Sequence, residues 1–195
     1  GAAQEVGRRP VALQSGDLLS LSAHKFGGPT GIGALLVPET LAWTPRLTGG
    51  PHERALRAGT ENVSGMAGMG AAAEACARAM VAEGVRLGAL RDDLWRRLAT
   101  AVGDVIRLTP THGLPNTLTV AVAGVASDVM VAGLDLAGYA VSAGSACAAG
   151  AIEPSHAVRA LRVGDAYRGG VVRISMGHAT TEAEVVRIVE AEVSL

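Results

Sequence analysis

The sequence predicts an α/β protein in which helices pack on sheets, and two observations lead to that prediction. Beyond residue 105, short apolar runs typical of strands alternate with segments of helical periodicity. Nearer the start of the chain, a glycine-rich turn joins two short apolar runs. Alternating strands and helices bury their apolar faces by forming stacked layers, and we expect that architecture here.

Two strands are predicted in the first part of the chain. Residues 17–22 and 33–37 are short apolar runs, and the segment between them includes residues 26–31, with three glycines and a proline. Glycine and proline at this density interrupt regular structure and mark a tight turn. The pattern therefore indicates a strand, a tight loop and a second strand.

A long helical segment follows. From about residue 62 to residue 102, Ala, Met, Glu, Arg and Leu recur with helical spacing, which is interrupted near Gly84. This predicts one long helix or two consecutive helices. We place a domain boundary near residue 62. Residues 1–61 then form one domain, and residues 62–195 combine the long helix with a small α/β domain.

The later part of the chain is predicted to alternate between strands and helices. Ser127 and Asp128 are suited to cap the start of one helix. Thr181 lies three residues before Glu184, which is the capping-box pattern at the start of the last helix. The predicted strands are residues 105–108, 117–122, 139–142 and 171–176, and the predicted helices are residues 127–136, 154–161 and 181–192.

Composition excludes several classes of function. The net charge of −1 and the lack of a basic run argue against direct binding of nucleic acid. No apolar stretch approaches the roughly 20 residues that span a bilayer. The two cysteines, Cys76 and Cys147, have unlike contexts, one in an alanine-rich helix and one in a Gly/Ser/Ala loop. We therefore expect no structural metal site and a reducing, cytoplasmic location.

Lys25 is the sole lysine in a chain that has sixteen arginines. Arginine supplies surface charge equally well, but its guanidinium does not lose its proton and so cannot attack a carbonyl. Schiff-base chemistry requires a lysine amine. The alternative explanation is a coding bias that replaced exposed lysines and left one surviving salt-bridge partner.

Three polar side chains near glycines are candidates for binding a single phosphate. Ser22, His24 and Thr60 can each donate a hydrogen bond, although such residues also form turns. The glycines of residues 27–33 superficially resemble a dinucleotide-binding fingerprint. We reject that reading because a strand, rather than a helix amino terminus, follows them.

Two further residues are candidates for chemistry on a substrate. Cys147 lies among Ser, Gly and Ala, which indicates an exposed loop where a partly ionised thiol can act as a nucleophile. Arg173 lies on a predicted strand between valine and isoleucine, and it could bind a carboxylate through two hydrogen bonds. The alternatives are that Cys147 is an incidental small residue and that Arg173 is an ordinary exposed strand residue. Cys76 fits packing in a core.

In their order and spacing, these segments resemble the cysteine desulfurases of the NifS/IscS type, which belong to the class V aminotransferase superfamily. The resemblance extends over nearly the whole chain. It implies the C-terminal part of a pyridoxal-phosphate-dependent fold-type I transferase, made of the end of the large domain and the small α/β domain. The segments that carry it are residues 22–33, 49–60, 142–147, 153–156 and 173–182.

The resemblance implies a set of residues around pyridoxal 5'-phosphate. Lys25 would form the Schiff base with the cofactor and later move the α-proton. Ser22 and His24 would hold the phosphate, and Thr60 would reach the phosphate of the other subunit in a homodimer. Gln4 matches the residue that forms a hydrogen bond to the pyridoxal hydroxyl.

The resemblance also implies the substrate and the product. Arg173 would bind the carboxylate of L-cysteine, and Cys147 would attack the substrate sulfur, leaving a persulfide and L-alanine. The Gly/Ser/Ala composition around Cys147 favours delivery of sulfur to an acceptor or scaffold protein, as in iron–sulfur cluster assembly.

The chain departs from the family pattern in one region. The family places an aspartate three residues before the glutamine, where this chain has Gly1, and the upstream half of the large domain is not present. We therefore expect a fragment with little or no activity alone. Other readings remain open: a selenocysteine lyase, a sulfinate desulfinase or an aminotransferase of the same superfamily, or a catalytically silent dimerisation or interaction module.

Overall fold

The structure is a computed structural model that describes residues 3–14, 17–143 and 156–193. It contains two compact units, Gly1–Ala82 and Glu83–Leu195. The division lies inside a long helix, whereas the sequence analysis places its boundary near residue 62, immediately before that helix. The domain assignment stays a prediction.

The first unit contains an antiparallel hairpin of strands β1 (Leu19–Ser22) and β2 (Gly33–Leu36). Its register places Leu19 opposite Leu36 and Ser22 opposite Gly33. Gly33 is required there, because a Cβ atom at this position would lie 2.5 Å from the carbonyl oxygen of Leu21. The predicted strand, loop and strand are confirmed. The 3₁₀ turn Ala23–Phe26 between the two strands was not predicted from the sequence.

Helix α1 runs without interruption from Val63 to Ala101. The side-chain Oδ1 of Asn62 accepts a hydrogen bond from the Gly65 backbone N–H at 3.0 Å and so caps its first turn. The interruption expected near Gly84 is not present, and the first of the two predicted alternatives, one long helix, is correct. The strong helix formers on both sides of Gly84 offset the roughly 1 kcal/mol that an interior glycine costs.

The second unit contains an antiparallel sheet of β3 (Val105–Arg107), β4 (Thr117–Val122) and β5 (Val171–Ser175), in the order β3-β4-β5. Leu118, Val120 and Val122 of β4 are buried on one face of the sheet, and Ala121 is buried on the other face in a smaller cluster with Val158, Val163 and Val171. The helices that follow α1 in this unit are α2 (Ser127–Leu136), α3 (His156–Ala160), α4 (Asp165–Arg168) and α5 (Glu182–Val193).

The core of the second unit forms between this sheet and its helices. The buried apolar side chains come from the second half of α1, from β4 and β5, and from α2 and α5. Fully burying one such side chain stabilises the fold by about 1.5–3 kcal/mol. The members with the least exposure are Leu94, Leu98, Leu118, Val120, Met130, Leu134 and Val172.

Two predictions about local structure are wrong. Ser127 does not cap α2 but is its first residue, and its hydroxyl donates to the Gly169 carbonyl at 2.7 Å and accepts from the Val171 N–H at 2.8 Å. The Ser127 hydroxyl therefore forms hydrogen bonds with residues at and just before the start of β5 rather than with the backbone of its own helix. Residues 139–142 do not form a strand, and only the isolated bridge between Ser142 and Arg173 joins that segment to a sheet among the described residues.

The capping box at α5 is confirmed. The Glu184 N–H donates to Thr181 Oγ1 at 3.3 Å, and the Thr181 N–H donates to Glu184 Oε2 at 2.8 Å. The Thr181 N–H, and after it the Thr181 hydroxyl, which donates to the same Oε2 at 3.0 Å, lower the pKa of the Glu184 carboxyl. Within the described ranges, no helix combines the length and apolar composition needed to cross a membrane.

Candidate active site

Lys25 lies in the 3₁₀ turn that directly follows β1. The Ala23 N–H donates to the Ile32 carbonyl at 3.1 Å, and the Gly28 N–H donates to the Ala23 carbonyl at 2.9 Å. Ala23 and Phe26 are buried, whereas His24 and Lys25 are exposed. The turn is therefore anchored at its two ends and presents its two central side chains to solvent.

Glycines allow this turn to close. Gly27 ends it with a φ of 89°, a left-handed conformation that favours glycine. A Cβ atom on Gly28 would lie 2.9 Å from the Cβ of Ala23, so a larger residue would force the turn apart. The glycines of the sequence indicated a tight turn here, but their spacing alone did not predict that it is a 3₁₀ turn.

Two side chains outside the turn hold its backbone. The Cys76 thiol on α1 donates to the Phe26 carbonyl oxygen at 3.1 Å, and the Arg8 guanidinium donates to the Lys25 carbonyl oxygen at 3.4 Å. From its sequence context, Cys76 was predicted only to pack in a core. Helical periodicity gave no signal of this hydrogen bond, because its acceptor lies fifty residues away in the chain.

Polar donors lie beside Lys25. Ser22 Oγ and His24 Nδ1 are 3.1 Å apart, within hydrogen-bonding distance. No hydrogen bond or salt bridge involves the Lys25 ammonium group among the described residues. The hydroxyl at the end of β1, together with the imidazole and the amine on the adjoining turn, forms a donor set that suits a phosphate and a carbonyl group.

Gln4 and Thr60 belong to the same unit and are exposed. Among the described residues, no hydrogen bond joins either side chain to the Lys25 turn. Thr60 lies in the loop that ends at Asn62, the residue that caps α1. The roles predicted for Gln4 and Thr60 stay predictions.

Arg173 in the second unit lies on β5, opposite Thr119 of β4. Its Nη2 donates to Ser142 Oγ at 3.3 Å, and its Nε is buried without a hydrogen-bond partner among the described residues. A buried donor without a partner costs about 1–3 kcal/mol, so Arg173 retains an unused capacity for an oxygen ligand such as a carboxylate.

Arg86 fixes the segment that follows β5, a role that was not predicted from the sequence. Its Nη1 donates to the Thr180 carbonyl at 2.7 Å, and its Nη2 donates to the carbonyls of Gly177 at 3.1 Å and His178 at 3.0 Å. The Glu83 carboxylate accepts from the Nε and Nη2 of Arg86, each at 2.9 Å. This network holds the end of the strand that carries Arg173.

Cys147 lies outside the described residues, so its predicted role has no structural description here. Within the described ranges, no group of three or more His, Cys, Asp or Glu side chains is arranged to hold a metal ion. The structure thus describes two sets of candidate residues: Ser22, His24 and Lys25 in the first unit, and Ser142 and Arg173 in the second.

Comparison with known proteins gives consistent matches. The aminotransferase class-V family model matches residues 1–188. The chain is 46% identical over 190 residues to a cysteine desulfurase of Rhodobacter capsulatus, covering 96% of this chain and 49% of that protein. It is 37% identical over 191 residues to the cysteine desulfurase NifS of Azotobacter vinelandii, covering 96% and 48% respectively. The chain thus spans about half the length of the curated relatives it matches.

Solved structures match as well. A NifS-like protein superposes with a TM-score of 0.87 at 30% identity, covering 99% of this chain and 50% of that chain. The NifS-like protein of Rickettsia africae also gives a TM-score of 0.87, at 27% identity, covering 99% of this chain and 52% of that one. These matches confirm the predicted α/β fold class.

Proposed function

Because this chain belongs to the aminotransferase class-V family, we propose that its residues perform the chemistry of a pyridoxal-phosphate-dependent cysteine desulfurase. Such an enzyme takes sulfur from L-cysteine and releases L-alanine. The observation that best supports the proposal is the exposed Lys25, whose amine has no partner among the described residues and which lies with His24 on the turn that directly follows Ser22. The cysteine desulfurases among its relatives support L-cysteine as the substrate.

The residues of the Lys25 turn fit pyridoxal phosphate. The hydroxyl of Ser22 and the imidazole of His24 are close enough, at 3.1 Å, to act on one phosphate group. Lys25 supplies the amine that holds the cofactor's carbonyl carbon, and it then moves the proton at the substrate α-carbon. Gln4 donates to the ring hydroxyl, and Thr60 donates to the phosphate held by a partner subunit. When bound, the cofactor supplies an electron sink for bonds at that carbon.

Arg173 orients the substrate. Its guanidinium is planar and can bind a carboxylate through two parallel hydrogen bonds, which fixes both position and direction. The buried Nε without a partner among the described residues supports this role, because a substrate carboxylate would satisfy it. Ser142 restricts the guanidinium by accepting from its Nη2 through the serine hydroxyl.

Cys147 accepts the sulfur. Its thiolate attacks the sulfur of the substrate, an S–S bond forms as the C–S bond breaks, and a proton replaces sulfur on carbon to give alanine. Cys147 follows Ser142 by five residues in the sequence, and Ser142 is paired with Arg173. The persulfide is then available to an acceptor or scaffold protein, for instance in iron–sulfur cluster assembly. We place this chemistry in a cytoplasmic homodimer.

Chemical trapping tests the proposal. The purified chain is incubated with pyridoxal phosphate and reduced with borohydride, and the adduct is located by peptide mass spectrometry. Since Lys25 is the sole lysine, an adduct on a lysine can form only there. We expect a stoichiometric adduct in the native chain and none in Lys25→Arg. Adduct formation no greater than in a denatured control would contradict the proposal.

A second measurement separates desulfurase from aminotransferase chemistry. Sulfide and alanine release from L-cysteine is compared between the native chain and Cys147→Ser. The chain alone is expected to release little, and what it does release should depend on Cys147, because the reaction needs a thiol to accept sulfur. Turnover that is unchanged in Cys147→Ser would favour another class V reaction, since an aminotransferase does not use this cysteine.

A further inference from the structure

The loop before α1 contains a left-handed turn that its own side chains do not stabilise by packing. Glu53, Arg54 and Ala55 have φ values of 50°, 58° and 62°. Each non-glycine residue in this conformation costs roughly 1–2 kcal/mol. All three side chains are exposed. The conformation therefore requires support from elsewhere in the loop.

His52 and Glu61 supply that support. His52 Nδ1 lies 3.1 Å from Oε1 and 3.1 Å from Oε2 of Glu61, so the pair closes the loop at its two ends. The His52 ring lies against Gly50, where a Cβ atom would be 3.0 Å from the ring. The pKa of the Glu61 carboxyl is held below its ordinary value, first by its own backbone N–H and then by His52.

The closed loop carries Thr60 next to Glu61. Thr60 is exposed, and its hydroxyl forms no hydrogen bond among the described residues. A donor at the end of a strained loop binds a ligand well only when the loop is already ordered, since ordering it during binding reduces affinity. The anchored carboxylate of the adjacent residue provides that order.

We propose that the His52–Glu61 hydrogen bond is a clasp that orients the Thr60 hydroxyl toward a phosphate monoester, which makes His52 a positioning residue for cofactor binding. The inference rests on the proposed function and extends it to a residue that touches neither cofactor nor substrate. Gln can replace the function of His52, because its amide also donates to a carboxylate, whereas Ala cannot.

The test compares two ligands that differ only in the phosphate. Pyridoxal phosphate and pyridoxal are titrated into the full chain, and absorbance reports the Lys25 adduct, with oligomeric state matched across variants by size-exclusion chromatography. We expect His52→Ala to weaken the binding of pyridoxal phosphate by about tenfold, which is the effect of losing one charge-assisted hydrogen bond. Pyridoxal affinity should not change, and His52→Gln should restore the preference for the phosphate.

Two further variants make the outcome decisive. Because the clasp acts through Thr60, the double variant His52→Ala/Thr60→Val should bind pyridoxal phosphate no more weakly than the single variant Thr60→Val. Glu53→Gln removes an exposed charge from the same loop and should retain the native preference. The clasp would be contradicted if His52→Ala kept the native preference for pyridoxal phosphate, or if the losses of affinity of the two single variants added up in the double variant. Either result would leave the proposed function standing.

The ligand series also separates this inference from the proposed function. If the native chain forms the Lys25 adduct but does not prefer the phosphate form, the inference is wrong and the proposed function stands. If neither ligand forms an adduct that is lost in Lys25→Arg, both the inference and the proposed function are wrong.

Discussion

Ser142 and Arg173 are joined by three hydrogen bonds. The Ser142 N–H donates to the Arg173 carbonyl at 3.1 Å, the Arg173 N–H donates to the Ser142 carbonyl at 2.8 Å, and the guanidinium Nη2 donates to the Ser142 hydroxyl at 3.3 Å. The backbone pair fixes Ser142 beside the strand of Arg173. The side-chain bond restricts the guanidinium itself.

The first prediction concerns this side-chain bond. Ser142→Ala leaves both backbone bonds in place but removes the acceptor for Nη2, so the guanidinium becomes less ordered. We expect the dissociation constant for L-cysteine to rise by about fivefold, the effect of one hydrogen bond worth about 1 kcal/mol. Calorimetry on the cofactor-loaded chain measures it. Ser175→Ala, an exposed serine on the same strand, is the matched control, and an equal effect there would refute the assignment.

The second prediction concerns Cys76, whose thiol donates to the carbonyl of Phe26. A thiol hydrogen bond is worth about 0.5–1 kcal/mol, so Cys76→Ala should slow adduct formation at Lys25 by about two- to fivefold. Stopped-flow absorbance with pyridoxal phosphate measures the rate. Cys76→Ser keeps a donor at this position and should retain most of the native rate. A normal rate in Cys76→Ala would show that the turn does not depend on this bond.

The third prediction concerns the buried carboxyl of Glu192. Its side chain is 8% exposed, and Oε2 has no hydrogen-bond partner among the described residues. Burial raises the pKa of this carboxyl above its ordinary value of 4.5. The folded state therefore holds the proton more tightly than the unfolded state. The contribution of Glu192 to stability is best at low pH and declines as pH rises from about 4.5 through the raised pKa.

Replacing Glu192 with glutamine should remove this decline, because the amide stays neutral. At pH 7 we expect Glu192→Gln to raise the unfolding temperature by about 2–4 °C, which corresponds to roughly 1 kcal/mol for a chain of this size. Near pH 4 the gain should disappear. Thermal denaturation followed by circular dichroism across this range measures it, and a gain that is equal at both pH values would contradict the burial of a charge.

The sequence predicted the features whose causes are local. The hairpin, the long helix and the capping box of Thr181 and Glu184 follow from patterns within a few residues, and the structure contains all three. The role of Ser127 could not be predicted, because its hydroxyl partners lie 42 and 44 residues away. The same reason applies to Cys76 and Arg86 at the candidate site. Motif order singled out Lys25 and Arg173 as candidates, but it gave no signal of the side chains that contact them.

The fourth prediction has the opposite pH dependence and concerns Asp92. Arg91 Nε lies 3.0 Å from Asp92 Oδ1, and Arg107 Nη2 lies 3.1 Å from the same oxygen. These guanidinium groups, Arg91 first, lower the pKa of the Asp92 carboxyl below its ordinary value of 3.8. The unfolded state therefore binds the proton more tightly. The stabilisation is complete above pH 3.8 and is lost as pH falls through the folded pKa.

Asp92→Asn should therefore destabilise the second unit at pH 7 and have little effect near pH 2. Half of the Asp92 side chain is exposed, and solvent screening limits the effect to about 1 kcal/mol or less. A Trp43→Phe background leaves Trp95 as the sole tryptophan, so its fluorescence reports unfolding of this unit. Asp135→Asn, an exposed aspartate of the same unit, is the control. Because Asp92 and Glu192 shift in opposite directions, their two variants should give pH slopes of opposite sign, and slopes of the same sign would exclude one of the two assignments.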